Sequence, residues 1–135
     1  MSQDTAIEPA REIRRGRQWT SLERRADFLR VGSSGLKRVT PAFILQAAPR
    51  SSETAGPPIQ VGFTASRKVG NAVARNRAKR RLRSLTDRLI SCADPAFDYV
   101  LVGRGETLTR DFAEMEKELR DALKRIAQPR KGTRA

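Results

Sequence analysis

Histidine is missing from all 135 residues. Its absence removes the commonest general acid–base and the commonest metal-binding side chain. A nuclease made from this chain alone would have to work through carboxylates on metal ions. Cys92 is the single cysteine, so no intramolecular disulfide is possible. It follows an apolar run and reads as an inert, half-buried thiol. Aromatic residues make up 5% of the chain against 38% hydrophobic, which makes for a small, aliphatic core. No apolar stretch approaches membrane-spanning length, and no signal-peptide core follows the N-terminus. A soluble, intracellular protein of one domain is expected. The most telling absence is of negative charge: no Asp or Glu stands between Glu53 and Asp87.

That same stretch carries Arg67, Lys68, Arg75, Arg77, Lys79, Arg80, Arg81 and Arg83. The whole chain has a net charge of +13 and a pI near 11.4. So dense a positive field calls for a polyanion, and this balance is the first mark of a nucleic-acid binder. A charge run is commonly just a solvated face. Such a face mixes both signs, however, and this one does not. Small apolar residues interleave the basic ones, which argues for a folded surface rather than a basic tail.

Residues 1–18 show no periodicity and read as a basic segment that is disordered or ordered only on RNA. Thr20 and Glu23 have capping-box spacing, which predicts a helix start. Leu22, Ala26 and Leu29 mark one face of that helix, and Gly32 to Gly35 end it. Residues 41–48 read as a strand, and Pro49 to Pro58 as a long loop. Ile59, Val61, Phe63 and Ala65 alternate with Gln60, Gly62, Thr64 and Ser66, which predicts a second strand. The two strands are expected to form a hairpin. A helix follows from about residue 70 to Ile90, with Ala74, Ala78, Leu82, Leu85 and Leu89 in one stripe. Asn76, Lys79, Arg80 and Arg83 fall on its far side, and Arg75 and Arg81 flank the stripe. Asp98 to Gly103 is a short buried strand. Thr109 opens a last helix with Phe112, Met115, Leu119, Leu123 and Ile126 inward, supported by Glu116–Arg120 and Asp121–Arg125 pairs. Pro129 stops it, and residues 128–135 form a disordered tail.

Several residues admit two readings. Phe28 lies about 100 degrees off the Leu22/Ala26/Leu29 stripe. Packing against the sheet edge is favoured by position; the alternative is a stacking surface for an unpaired base. Gly62, Thr64 and Ser66 are either unremarkable polar-face positions or small because an RNA backbone comes close. Trp19 reads as a core or cap residue. Asp94 and Asp98 lack a further carboxylate at metal-binding spacing, so a structural role is expected.

Ser66-Arg67-Lys68-Val69-Gly70-Asn71-Ala72-Val73, then Arg75-Asn76-Arg77, then Lys79-Arg80 resembles the signature of the bacterial ribonuclease P protein component. Ala26-Asp27-Phe28, Phe43-Ile44-Leu45 and Asp98-Tyr99-Val100 extend the resemblance over about residues 19–127. It implies an α+β fold, an α/β sandwich like a domain of ribosomal protein S5 with a left-handed βαβ crossover. It implies the small subunit of a ribonucleoprotein endonuclease that removes the 5′ leader of precursor tRNA in the cytoplasm. The catalytic centre and its Mg2+ ions would belong to the RNA subunit, and the protein alone would bind no cofactor. The partners would be that catalytic RNA and precursor tRNA, with no membrane and no small-molecule substrate. Carried over, Arg67, Lys68, Asn71, Arg75, Asn76, Arg77, Lys79 and Arg80 match the motif that contacts the catalytic RNA, and Arg83 extends it. Phe28 matches an aromatic lining the leader-binding cleft, which reverses the positional preference. Arg25, Ile44, Gln46, Gln60, Thr64 and Ser66 complete the expected cleft. Two departures stand out: Gly32 where the family often has a second aromatic, and Gln46 where it often has tyrosine. The competing readings are a basic ribosomal or other RNA-binding module, and a stand-alone metal-dependent nuclease.

Overall fold

The computed structural model describes residues 19–50 and 58–127. The expectations for residues 1–18, for 51–57 of the loop and for 128–135 lie outside them. Five strands and three helices follow in the order β1 (Trp19–Ser21), α1 (Arg25–Ser33), β2 (Leu36–Val39), β3 (Phe43–Pro49), β4 (Ile59–Ala65), α2 (Ala72–Leu89), β5 (Phe97–Gly103) and α3 (Phe112–Ala127). The strands form one sheet in the order β1-β4-β5-β3-β2. β4 pairs parallel with β1 and β5, while β3 pairs antiparallel with β5 and β2.

The expected hairpin of residues 41–48 and 59–65 does not form. β5 lies between those two strands and bonds both. Alternation tells which face a side chain takes, but it says nothing about which strand is the neighbour. The β4–α2–β5 segment is a parallel crossover, so α2 must lie over the sheet.

On one face, Phe43, Leu45, Ala47, Ile59, Val61, Phe63, Tyr99 and Leu101 meet Leu82, Leu85 and Leu89 of α2 and Met115, Leu119 and Leu123 of α3. Full burial of each Val, Leu, Ile, Phe or Met among them stabilises the fold by about 1.5–3 kcal/mol. Trp19 joins this core, edge-on to Phe63 at 5.3 Å between ring centroids. Its indole N–H donates to Asp87 at 2.8 Å, which ties β1 to α2. The other face carries α1, where Leu22, Val31, Ala48 and Val100 cluster with Phe28 and Val102.

α1 differs from its sequence reading. Thr20 lies in β1 opposite Gln60, so it cannot cap the helix. Arg24 holds the N-cap position with no side-chain cap bond. Ala26 and Leu29 are exposed; the buried residue of α1 is Val31, with Phe28 half-buried beside it. β2 has no counterpart in the sequence reading; it pairs Val39 with Ile44 and Lys37 with Gln46. Cys92 is exposed rather than half-buried. Glu116 pairs with Arg88 of α2 instead of Arg120, while Asp121 and Arg125 do pair at 3.0 Å. Asp98 is buried and holds Arg30 and, at 3.2 Å, Arg50.

Candidate nucleic-acid interface

The basic signature folds as a bent entrance to α2. Val69 is buried and anchors a single 3-10 turn over Arg67–Val69. The Ser66 hydroxyl accepts from the Lys68 N–H at 3.2 Å and starts that turn. Gly70 has φ +147°, where side chains are rarely tolerated, and a Cβ there would come within 2.8 Å of Ala74 Cβ. Asn71 then caps α2, its Oδ1 accepting from the Ala74 N–H at 2.9 Å. This break points Arg67 and Lys68 outward, beside the positive end of the α2 dipole.

Asn76, Arg77, Arg80 and Arg83 are exposed and Lys79 half-buried. Among the described residues, Arg67, Lys68, Arg77, Lys79 and Arg80 have no carboxylate partner. Arg83 lies over the Phe63 ring at 5.4 Å. Two expected phosphate ligands also hold the backbone together: Asn71 is the cap, and Arg75 donates to the Gly70 carbonyl at 2.9 Å. Arg81 turns inward, donating to the Arg110 carbonyl at 2.7 Å.

The α1 face of the sheet forms the second part of the site. Strand register places Ile44, Val102 and Thr64 in one row, with Val39 opposite Ile44 at the edge. The next row is Lys37, Gln46, Val100 and Gly62. Phe28 lies on Gly62, and a Cβ at that glycine would come within 2.6 Å of the Phe28 ring. Gly62 is therefore small because an aromatic ring of the same chain sits on it. Ile44, Gln46, Gln60, Thr64 and Phe28 are all half-buried. They share one face, with Phe28 between Thr64 on one side and Gln60 on the other.

Gln60 opens onto a polar groove of about 490 Å³, which is lined also by Arg24, Asp27, Arg30 and Asp98. Arg25 is exposed but does not line that groove; its neighbour Arg24 does. Ser66 is exposed beyond the end of β4. Sequence reasoning missed Arg24, Arg30 and Val39. The first two were hidden by the misplaced start of α1, and the third by the unread strand β2. Among the described residues no three His, Cys, Asp or Glu side chains gather into a group that could hold a metal ion. Among the same residues, no helix is long and apolar enough to cross a membrane.

The comparisons with known proteins agree with one another. The family model Ribonuclease P matches residues 17–127. The Ribonuclease P protein component of Paramagnetospirillum magneticum is 47% identical over 107 residues, covering 78% of this chain and 80% of the relative. That of Gluconacetobacter diazotrophicus is 42% identical over 106 residues, covering 77% and 88%. The solved RNase P protein of Thermotoga maritima superposes with a TM-score of 0.67 at 26% identity, over 81% of this chain and 99% of that one. The Staphylococcus aureus RNase P protein shares the fold with a TM-score of 0.65 at 24% identity, over 79% and 94%. A five-stranded sheet with three helices, the bent basic entrance to α2 and these matches lead to one conclusion: the chain belongs to the ribonuclease P protein component family.

Proposed function

We propose that the chain is the RNA-binding protein subunit of ribonuclease P, acting in the cytoplasm on precursor tRNA. In this reading the entrance to α2 grips the catalytic RNA through Arg67, Lys68, Asn76, Arg77, Lys79, Arg80 and Arg83. The α1 face of the sheet, with Arg25 and Ser66 at its margins, receives the single-stranded 5′ leader. Phe28 offers a ring for stacking there, and Gln46, Gln60 and Thr64 offer hydrogen bonds. The RNA subunit and its Mg2+ ions perform the cleavage. The observation that carries the reading is the set of cations on one bent entrance that have no carboxylate partner among the described residues. Counterion release from an RNA backbone is the interaction such a surface favours.

The test is leader release from precursor tRNA in Mg2+, with and without the cognate catalytic RNA. The protein freed of RNA is expected to release no leader, and to enhance cleavage once the RNA is added. Cleavage by RNA-free protein would overturn the proposal.

A further inference from the structure

Helix α1 has a narrow apolar seat. Val31 is its one buried residue and packs with Leu22, Ala48 and Val100. Phe28 rests half-buried on Gly62, and Gly32 passes Gln46 one turn later. No side chain caps the N-terminus of this nine-residue helix. Seated on so little, α1 can roll about Val31, and any roll carries Phe28 with it. At 3.6 residues per turn, Arg30 and Phe28 stand on either side of Val31, about 160° apart. Arg30 donates to the Pro49 carbonyl at 3.3 Å and to the buried Asp98 carboxylate, which ties α1 to the end of β3 and the start of β5. Arg50 braces Asp98 from behind. Its Nε lies 3.2 Å from the other carboxylate oxygen, and its guanidinium donates to the carbonyls of Pro58 and Pro95. Past the helix end, the Ser34 hydroxyl donates to the Ala47 carbonyl, which holds the C-terminus and leaves the roll to Arg30. On the other flank of α1, Arg25 bonds nothing in the sheet among the described residues. The strut is therefore one-sided.

An ion pair at a buried carboxylate is a poor source of stability, because desolvation offsets the attraction; what it can supply instead is a fixed orientation. The Arg30 side chain is 41% exposed, so its own share in folding is small. We infer that Arg30 and Asp98 are positioning residues for the RNA strand held against Phe28: without touching that strand, they stop α1 from rolling and so keep the ring over Gly62. This role rests on the proposed leader cleft. Asp98 is buried and cannot reach a ligand, so whatever it does for RNA binding passes through Arg30 and the helix. A ring held in one place loses less freedom when a base stacks on it than a ring on a rolling helix.

The experiment uses the reconstituted holoenzyme and measures the ratio of affinities for tRNA with and without its leader. Four proteins are compared: wild type, Arg30→Met, Phe28→Leu and the double variant. Arg30→Met keeps most of the side-chain stem, leaves Asp98 with Arg50, and leaves Asp27 with Arg24 at 3.6 Å. In the wild-type background it should lower the leader ratio about threefold or more, within the range of coupling between contacting residues. In the Phe28→Leu background it should lower the ratio no further, because the ring it positions is gone. The slope of log affinity against log salt should stay that of the wild type. A full additional loss in the double variant, or no loss in Arg30→Met, overturns the positioning role. So does a slope shallower by about 0.7–0.9, which would make Arg30 itself a phosphate ligand. Equal wild-type affinity for tRNA with and without its leader would instead remove the leader cleft itself, so the two failures are distinguishable. Thermal unfolding of each variant identifies a loss due to misfolding. If Arg30→Met does not fold, Asp98→Asn carries the same four-way comparison, since it keeps the shape and weakens the hold on Arg30.

Discussion

Phe28 serves two demands at once. Its ring packs on Gly62 and within the Leu22, Val31, Ala48 and Val100 cluster, yet it stays half-exposed. The packing favoured by position is present, and the exposed part of the ring is what the proposed leader stacking would use. Base stacking on an aromatic is worth about 1–3 kcal/mol by alanine substitution. Phe28→Ala should therefore weaken holoenzyme binding of leader-bearing precursor tRNA by about fivefold or more and leave mature tRNA nearly unaffected. It should also lower stability, since much of the ring packs internally. Phe28→Leu retains most of the packing and is expected to lose the leader effect with a smaller drop in melting temperature. Equal weakening of both tRNAs would make Phe28 a core residue only. Gly62→Ala probes the same packing from below. Its methyl would meet the ring, and overpacking of this kind costs about 1–3 kcal/mol. A melting temperature equal to the wild type's would show that the ring moves aside freely.

α2 is a scaffold and, under the proposed function, a grip on RNA, and the two can be separated by substitution. Asn71→Ala removes the cap and should cost about 1 kcal/mol in urea unfolding. Arg77→Ala with Arg80→Ala breaks no ion pair among the described residues, so stability should hold. For every RNA phosphate that is no longer neutralised, the slope of log affinity against log salt should become shallower by about 0.7–0.9. An unchanged slope in a folded double variant would remove both residues from the interface. Arg75 is a poorer probe, because its bond to the Gly70 carbonyl couples charge to fold. α2 was legible in the sequence because 18 residues of helical period carry their own signal: Ala78, Leu82, Leu85 and Leu89 are buried as the stripe required. β4 was legible by alternation, with Ile59, Val61 and Phe63 in the core. β1 and β2, at three and four residues, are too short to show a period. Thr20 shows the reason for the misread cap, since parallel pairing to Gln60 outcompeted a local side-chain bond. The basic part of the candidate site was legible from charge, and Asn76, Arg77, Arg80 and Arg83 are exposed as that reading expects. The cleft was less so, because the approach of Phe28 to Gly62 and of Gly32 to Gln46 depends on how α1 crosses the sheet.

At the scale of the whole molecule, both sheet faces depend on β5. Asp98 at its start is buried and fixes Arg30 of α1 and Arg50 beyond β3. Asp98→Ala would leave the buried Arg50 guanidinium without this partner, and such losses cost about 3–5 kcal/mol. A chemical-denaturation midpoint matching the wild type would contradict that. Tyr99, next in the strand, is buried, accepts from the Asp94 N–H at 2.9 Å and donates to the Asp94 carbonyl. Burial pushes its phenol well above the usual range, with the nearby Asp94 charge adding to this and its hydrogen bond opposing. The folded chain therefore keeps that proton when the unfolded chain releases it, and this contribution to stability is lost as pH rises above about 10. Tyr99→Phe should be less stable than the wild type at neutral pH, with the gap narrowing above about pH 10. A gap constant with pH would mean that the phenol ionises equally in both states.

The central position of β5 has a consequence in time. It is the last strand among the described residues, and it joins β4 to β3. As the polypeptide leaves the ribosome, β1 and β4 have no bridge to β2 and β3 until residues 97–103 emerge. The sheet therefore completes late, through pairing between segments far apart in sequence, a pattern associated with slow folding. Meanwhile α2 is synthesised before the strand that secures its crossover, with Arg77 and Arg80 lacking a carboxylate partner among the described residues. A nascent chain of this kind exposes its basic segment before its tertiary structure is closed.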